Sequence, residues 1–257
     1  PQAAAGFLKK PQRIRLVNAT AVPLPKERKM AFYGNQAEVR TEAKLRVQDA
    51  PRECHVGVCR AYGKRHAIFR QGDKAGHLYR VESGAVALEI LLEDGRRQLV
   101  EILLAGDLFG FAVDGSFEET AIALEATVVC VMRQCDLERT DAVGWEVAHQ
   151  TGRQITRAHD QLMALGRKNA QERICQLLLR FARDIGDRPC AEPGGGPEPI
   201  RLHVPLTRGE MGDYLGLSLE TVCRTMSALK QLGVIAIGPR QGDVTILALD
   251  EVRRRAG

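Results

Sequence analysis

The chain has 257 residues, a formal net charge of +5 and 44% apolar residues, enough to bury a substantial core and to divide into two domains. No apolar run reaches the roughly eighteen residues of a membrane span, and no short apolar segment leads into a small-residue cleavage site; a cytoplasmic protein without a membrane partner is expected. Seven cysteines at irregular spacing do not read as a disulfide framework in a chain of this size and are expected to be reduced thiols.

Residues 1–50 form a basic arm. Lys9, Lys10, Arg13, Arg15, Lys26, Arg28 and Lys29 crowd a segment with little apolar periodicity, suited either to touching phosphates or to serving as a solubilising tail. Residues 51–138 read as a β domain. Short runs rich in Val, Ile and Leu alternate with Gln71-Gly72-Asp73, Ser83-Gly84, Asp94-Gly95-Arg96 and Ala105-Gly106-Asp107, so that a glycine recurs every eleven or twelve residues, the spacing of a small antiparallel roll or barrel. Asp94-Gly95 marks the clearest hairpin.

Residues 139–166 read as one long helix. Ala148, Thr151, Ile155, Ala158, Leu162 and Leu165 alternate three- and four-residue steps, the spacing of a coiled-coil seam. Ile155, Ala158, Leu162 and Leu165 are therefore expected to pair with a second copy of the chain, the alternative being burial against the chain's own β domain.

Residues 167–257 read as a winged helix-turn-helix. A first helix, over about 169–184, turns Ile174, Leu177, Leu178 and Phe181 inward, and the Pro- and Gly-rich segment 189–199 is expected as a surface loop. Thr207 and Glu210 then have the spacing of a capping box ahead of Met211, Tyr214 and Leu215. Gly216 closes that helix and Ser218 opens the next. In the second helix Val222, Met226 and Leu229, with Leu232 beyond, are expected to face inward, leaving Glu220, Cys223 and Arg224 outward. A carboxylate accepts from cytosine N4 and a guanidinium holds guanine O6 and N7, so this face suits a major groove; as an ordinary surface it would carry only an i,i+4 ion pair. Ser218, Leu219 and Thr221 at the helix start, with Arg208 toward the phosphates, complete the expected DNA-facing set. Two strands, 234–237 and 244–247, joined through 239–243, form the wing.

Three collinear segments resemble the Crp/Fnr superfamily of transcription regulators. They are Leu104-Ala105-Gly106-Asp107-Leu108-Phe109-Gly110-Phe111, Gly166-Arg167-Lys168-Asn169-Ala170-Gln171-Glu172-Arg173, and the helix-turn-helix over 207–224. The resemblance implies an α+β chain: an N-terminal β-roll (a jelly roll of the cyclic-nucleotide-binding kind) as sensor domain, a long dimerisation helix and a C-terminal winged helix-turn-helix. Its implied partners are double-stranded DNA, a second copy of the chain and RNA polymerase. Leu219 stands where Crp-like members carry an extra Arg, which points away from their TGTGA half-site and toward a TTG-N8-CAA-like palindrome; an activator is implied because such regulators present surface to RNA polymerase. Cys223 stands where the FNR branch has Ser.

The resemblance implies no cofactor. Members that bind cyclic AMP place Glu and Arg where this chain has Phe111 and Glu119. The roll cysteine of the iron–sulfur FNR sensors is matched by Cys130, but their N-terminal triad is not: only Cys54 and Cys59 precede Cys130, much closer to it than the family's triad, and a [4Fe–4S] cluster needs four ligands. A haem or zinc ligand set is not recognisable either. What remains is most similar to the FixK group, whose members control micro-oxic or anaerobic respiration and nitrogen metabolism. Cys223, early in a helix and beside Arg224, is expected either to make binding redox-sensitive or merely to replace Ser. The alternative function is a regulator gated by a small molecule in the roll. An enzyme is not expected, because the chain carries no nucleophile elbow, Walker loop or metal-plus-base arrangement.

Overall fold

The computed structural model describes residues 57–133, 141–184 and 199–257. The basic arm and residues 189–198 of the expected 189–199 loop lie outside the described residues. Eight strands come first: β1 (Val58–Tyr62), β2 (Ala67–Phe69), β3 (His77–Ser83), β4 (Ala85–Leu91), β5 (Arg97–Leu104), β6 (Leu108–Phe109), β7 (Thr120–Ala123) and β8 (Thr127–Arg133). They form two four-stranded antiparallel sheets, ordered β1-β8-β3-β6 and β2-β7-β4-β5. The glycines that punctuate the sequence are the corners: Gly72, Gly84, Gly95 and Gly106 have φ of 86°, 84°, 84° and 94°, a region L side chains avoid. At Gly84 there is also no room, since a Cβ there would lie 2.6 Å from the Ala126 carbonyl oxygen.

The inner faces of the two sheets enclose Phe69, Tyr79, Val81, Val86, Leu88, Leu103, Phe109 and Phe117. Phe69 stacks on Phe117 with centroids 3.8 Å apart, and Tyr79 on Phe109 at 5.2 Å, so rings fill the centre of the roll. β4 is buried on both faces. Val86 and Leu88 point into the roll, while Ala85 and Ala87 join a second core outside it. Two covered faces explain why β4 opens on a continuous apolar run, Ala-Val-Ala-Leu, rather than on an alternation.

Two helices follow, α1 (Asp141–Arg167) and α2 (Ala170–Asp184). Asn169 separates them: its side chain accepts from the Glu172 N–H at 3.1 Å, and the Glu172 carboxylate accepts from the Asn169 N–H at 2.8 Å, a reciprocal cap that starts α2 afresh. Then come β9 (Ile200–His203), α3 (Arg208–Leu215), α4 (Leu219–Gln231), β10 (Ile235–Ile237), β11 (Asp243–Ile246) and α5 (Leu249–Ala256). β9 makes the wing a three-stranded sheet, β10-β11-β9, and α5 packs on α2. Among the described residues no helix is long and apolar enough to cross a membrane.

The second core joins the two halves. Ala85, Ala87, Leu99, Ile102, Leu104 and Leu124 of the roll share one cluster with Ile174, Leu178, Phe181, Met211, Tyr214 and Leu215. Polar ties cross the same boundary. Arg97 of β5 pairs with Asp213 of α3, Gln98 donates to the Asp213 carbonyl, and Arg180 of α2 donates to Glu101 at 2.7 Å and to the Tyr214 hydroxyl at 2.7 Å. The helix-turn-helix is thus held against the roll by an apolar patch rimmed with ion pairs.

Two expectations need correction. Leu232 is 57% exposed; it is the C-cap residue of α4, where the helical period that would have turned it inward stops. Cys130 is disulfide-bonded, so not every cysteine is a reduced thiol. A disulfide requires two Cβ atoms within about 4 Å, a condition set by the fold that spacing along the chain does not reveal. Cys59, Cys175 and Cys223 are free thiols.

Candidate nucleic-acid interface

The helix-turn-helix is built from local hydrogen bonds. The Thr207 side chain accepts from the Glu210 N–H at 3.1 Å, and Glu210 accepts from the Thr207 N–H at 2.7 Å. The other oxygen of Glu210 lies 2.9 Å from Arg65 of the roll, so a single buried carboxylate caps α3 and ties it to the first domain. Gly216 takes the left-handed conformation, with φ 63° and ψ 41°. The N–H groups of Gly216 and Leu217 both return to the Gly212 carbonyl, satisfying an orphan acceptor at the helix end. Gly212 is needed for space, because a Cβ would lie 2.5 Å from the Leu217 carbonyl oxygen. Ser218 then accepts from the Thr221 N–H at 3.2 Å to begin α4.

α4 has two unlike faces. Val222, Met226 and Leu229 are no more than 1% exposed. Glu220, Cys223 and Arg224 are exposed, as are Ser218 and Leu219, while Thr221 is half-buried beside them. Sequence reasoning therefore names a set that the structure brings together on one accessible surface at the start of one helix. Glu220 and Arg224 form no ion pair with each other, so the ordinary i,i+4 pair is not made. Arg208 lies at the edge of this surface rather than free of it: it is half-buried, its guanidinium contacts the Met211 sulfur at 3.2 Å, and burial presses it below its ordinary pKa while the nearby Cys223 sulfur opposes that shift.

The expected seam of α1 faces away from its own chain. Ile155 and Leu162 are 52% and 66% exposed, Ala158 is exposed, and Trp145 and Met163 join them; Leu165, near the helix end, touches the surface of the turn at Gly216. Burial against the β domain is thus not what these side chains do in the single chain. A neighbouring face of α1, about 100° around the helix, holds the roll. Arg157 grips Asp107 with two hydrogen bonds of 3.0 Å, and Gln150 and Gln154 donate to the carbonyls of Gly106 and Leu108. Asp107, Arg157, Arg180 and Asp213 were not singled out from the sequence. Their partners lie 34 to 116 residues away, and no local pattern announces such pairs.

Among the described residues no group of side chains fits an iron–sulfur cluster. Cys130, the sequence match to the roll ligand, is engaged in a disulfide, and Cys59, opposite it in the β1–β8 register, is a thiol pushed up in pKa by burial and by Glu82. Cys54 lies outside the described residues. Phe111 packs against Leu78, Leu108 and Met132, and Glu119 is raised in pKa by burial and by Glu118; neither supplies a donor for a nucleotide phosphate.

Two family models match the chain: a cyclic nucleotide-binding domain over residues 59–140 and a Crp-like helix-turn-helix domain over residues 172–255. The transcriptional activator protein FnrL of Cereibacter sphaeroides is 37% identical over 194 residues, which cover 74% of this chain and 77% of that protein. The nitrogen fixation regulation protein FixK of Rhizobium meliloti is 34% identical over 176 residues, 68% of this chain and 77% of that one. Among solved structures, FixK2 from Bradyrhizobium japonicum superposes with a TM-score of 0.68 at 30% identity, over 79% of this chain and 98% of that chain. With both family models matched and relatives 34% and 37% identical over more than two thirds of its length, the chain belongs to the Crp/Fnr family of DNA-binding transcription regulators.

Proposed function

We propose that the chain acts as a homodimeric, sequence-specific transcription activator that reads a TTG-N8-CAA-like palindrome and serves genes of micro-oxic or anaerobic respiration or nitrogen metabolism, with RNA polymerase as its further partner. The observation that carries the reading is the α4 surface: an acid and a guanidinium one helical turn apart, both exposed, on a helix whose other face is fully buried. Glu220 accepts from cytosine and Arg224 holds guanine, Ser218, Leu219 and Thr221 line the approach, and Arg208 faces the phosphates. Ile155, Ala158, Leu162 and Leu165 join two copies, so that the two α4 helices reach half-sites about one helical turn apart. The names of the FnrL and FixK relatives support the choice of an activator and of the gene class. The ring-filled centre of the roll favours an effector-independent binder over a regulator gated by a small molecule there. Selection of random duplexes on the purified protein tests the whole reading at once. A two-fold motif with TTG arms is the expected outcome, and recovery of unrelated or asymmetric sequences contradicts it.

Cys223 adds a redox control. Peroxide converts its thiolate to a sulfenic acid with release of hydroxide, and a second oxidation adds negative charge at an interface held by neutralising phosphates. Operator affinity of the wild type is expected to fall after peroxide while Cys223→Ser is spared; equal loss in both proteins removes the control.

A further inference from the structure

Arg173, in the first turn of α2, spends its guanidinium on two other helices. Its Nε donates to the Lys168 carbonyl at 2.8 Å, its Nη2 to the Leu165 carbonyl at 2.9 Å and its Nη1 to the Leu215 carbonyl at 2.9 Å. Leu165 lies in the last turn of α1, Lys168 immediately follows it, and Leu215 is the last residue of α3. Carbonyls at helix C-termini lack intrahelical donors and carry the negative end of the helix dipole, so one planar cation satisfies two helix ends together. The turn of the helix-turn-helix rests on the same spot: a Cβ at Gly216 would lie 3.0 Å from Leu165 and 3.6 Å from the Arg173 guanidinium. Gln161 of α1 donates to the Tyr214 carbonyl, extending the join by one residue.

We propose that Arg173 is a positioning residue for operator reading, which fixes the α3–α4 pair relative to α1 and so sets the spacing between half-sites that the dimer accepts. The proposal rests on the reading of a dimer that binds a palindrome. In that reading α1 carries the two-fold axis and α4 carries the base contacts, so whatever locks the end of α1 to the end of α3 determines how far apart, and at what angle, the two α4 helices are held. A fork of fixed geometry locks an angle, whereas a lysine ammonium is a point charge on a flexible stem and does not.

The test measures full-length protein against palindromes whose central spacer changes in single base-pair steps, and against the best palindrome with the guanine of one half-site replaced. Wild type is expected to prefer one spacer over its neighbours by about tenfold, as half-site geometry demands. In Arg173→Met the preference for that spacer is expected to shrink by about fivefold or more while the discrimination against the replaced guanine stays at the wild-type value, and Arg173→Lys is expected to lie between. A purely structural role moves every duplex alike: loss of affinity by one factor at all spacers overturns the proposal, as does an unchanged spacer profile. If Arg173→Met does not fold, the profile of Arg173→Lys decides on the same terms. Failure of the underlying reading shows itself separately, as a wild-type protein that prefers no spacer and no palindrome over scrambled duplex.

Discussion

α1 and α2 stand end to end, and they are amphipathic in opposite senses. α2 turns Ile174, Cys175, Leu177, Leu178 and Phe181 into the core, with Arg173 and Arg180 tied to neighbouring elements at its edge, as a helix does when its apolar partner lies in the same chain. α1 meets its own chain with Gln150, Gln154, Arg157 and Gln161 and sends Trp145, Ile155, Leu162 and Met163 outward. An apolar face turned to solvent along a helix of 27 residues is the arrangement of a helix whose apolar partner belongs to another molecule. The contrast shows that hydrophobic period alone does not say where a helix packs, because both helices have the period and only one uses it internally.

Substitutions on the three faces sharpen that contrast. The largest effect on the fold of the single chain is expected from Phe181→Ala in α2, which removes a fully buried ring and is expected to cost about 3–5 kcal/mol in a denaturant titration. Arg157→Met on the inward face of α1 leaves Asp107, whose side chain is 5% exposed, without its cation. A loss of roughly 3 kcal/mol is expected, because the stranded charge rather than the lost attraction dominates; a change below about 0.5 kcal/mol, the range of surface substitutions, would mean that the inward face carries little. Leu162→Asp on the outward face is expected to shift the unfolding midpoint of dilute protein least, by about 0.5 kcal/mol or less, yet to move the sedimentation profile to monomer and abolish palindrome binding. A dimer that survives Leu162→Asp would contradict the contrast most directly.

The thiols repeat the contrast at the scale of single side chains. Cys175 is fully buried in α2 and its thiol is pushed up to about 11, which leaves little thiolate at neutral pH, whereas Cys223 is exposed on α4. An alkylating reagent at neutral pH is expected to modify Cys223 in the native protein and to reach Cys175 only on unfolding.

What could be read from the sequence was what is written locally. Thr207 and Glu210, Gly216, and Ser218 act on neighbours three to five residues away, and the glycine corners of the roll act on their own backbone, so their roles were legible from spacing alone. The outward placement of Glu220, Cys223 and Arg224 followed from the buried period of Val222, Met226 and Leu229. The ties between domains were not legible. Arg97 finds Asp213 across 116 residues and Arg157 finds Asp107 across 50, and each residue looks like ordinary surface charge until the fold brings its partner. β9 was missed because Ile-Arg-Leu-His is short and half polar and becomes a strand only by pairing with β11. The disulfide of Cys130 is illegible for a related reason, since pairing of sulfurs is decided in space.

The strand with two buried faces limits how freely this architecture can be recombined. Because Ala85 and Ala87 belong to the core under the reader while Val86 and Leu88 belong to the core of the roll, the two halves share a wall and are not independent modules. A chimaera that grafts the roll of another regulator onto these helices would inherit a foreign wall, and it would need the small alanines of β4 and the Arg97–Gln98 edge transplanted with it before the graft could communicate with the DNA-binding half.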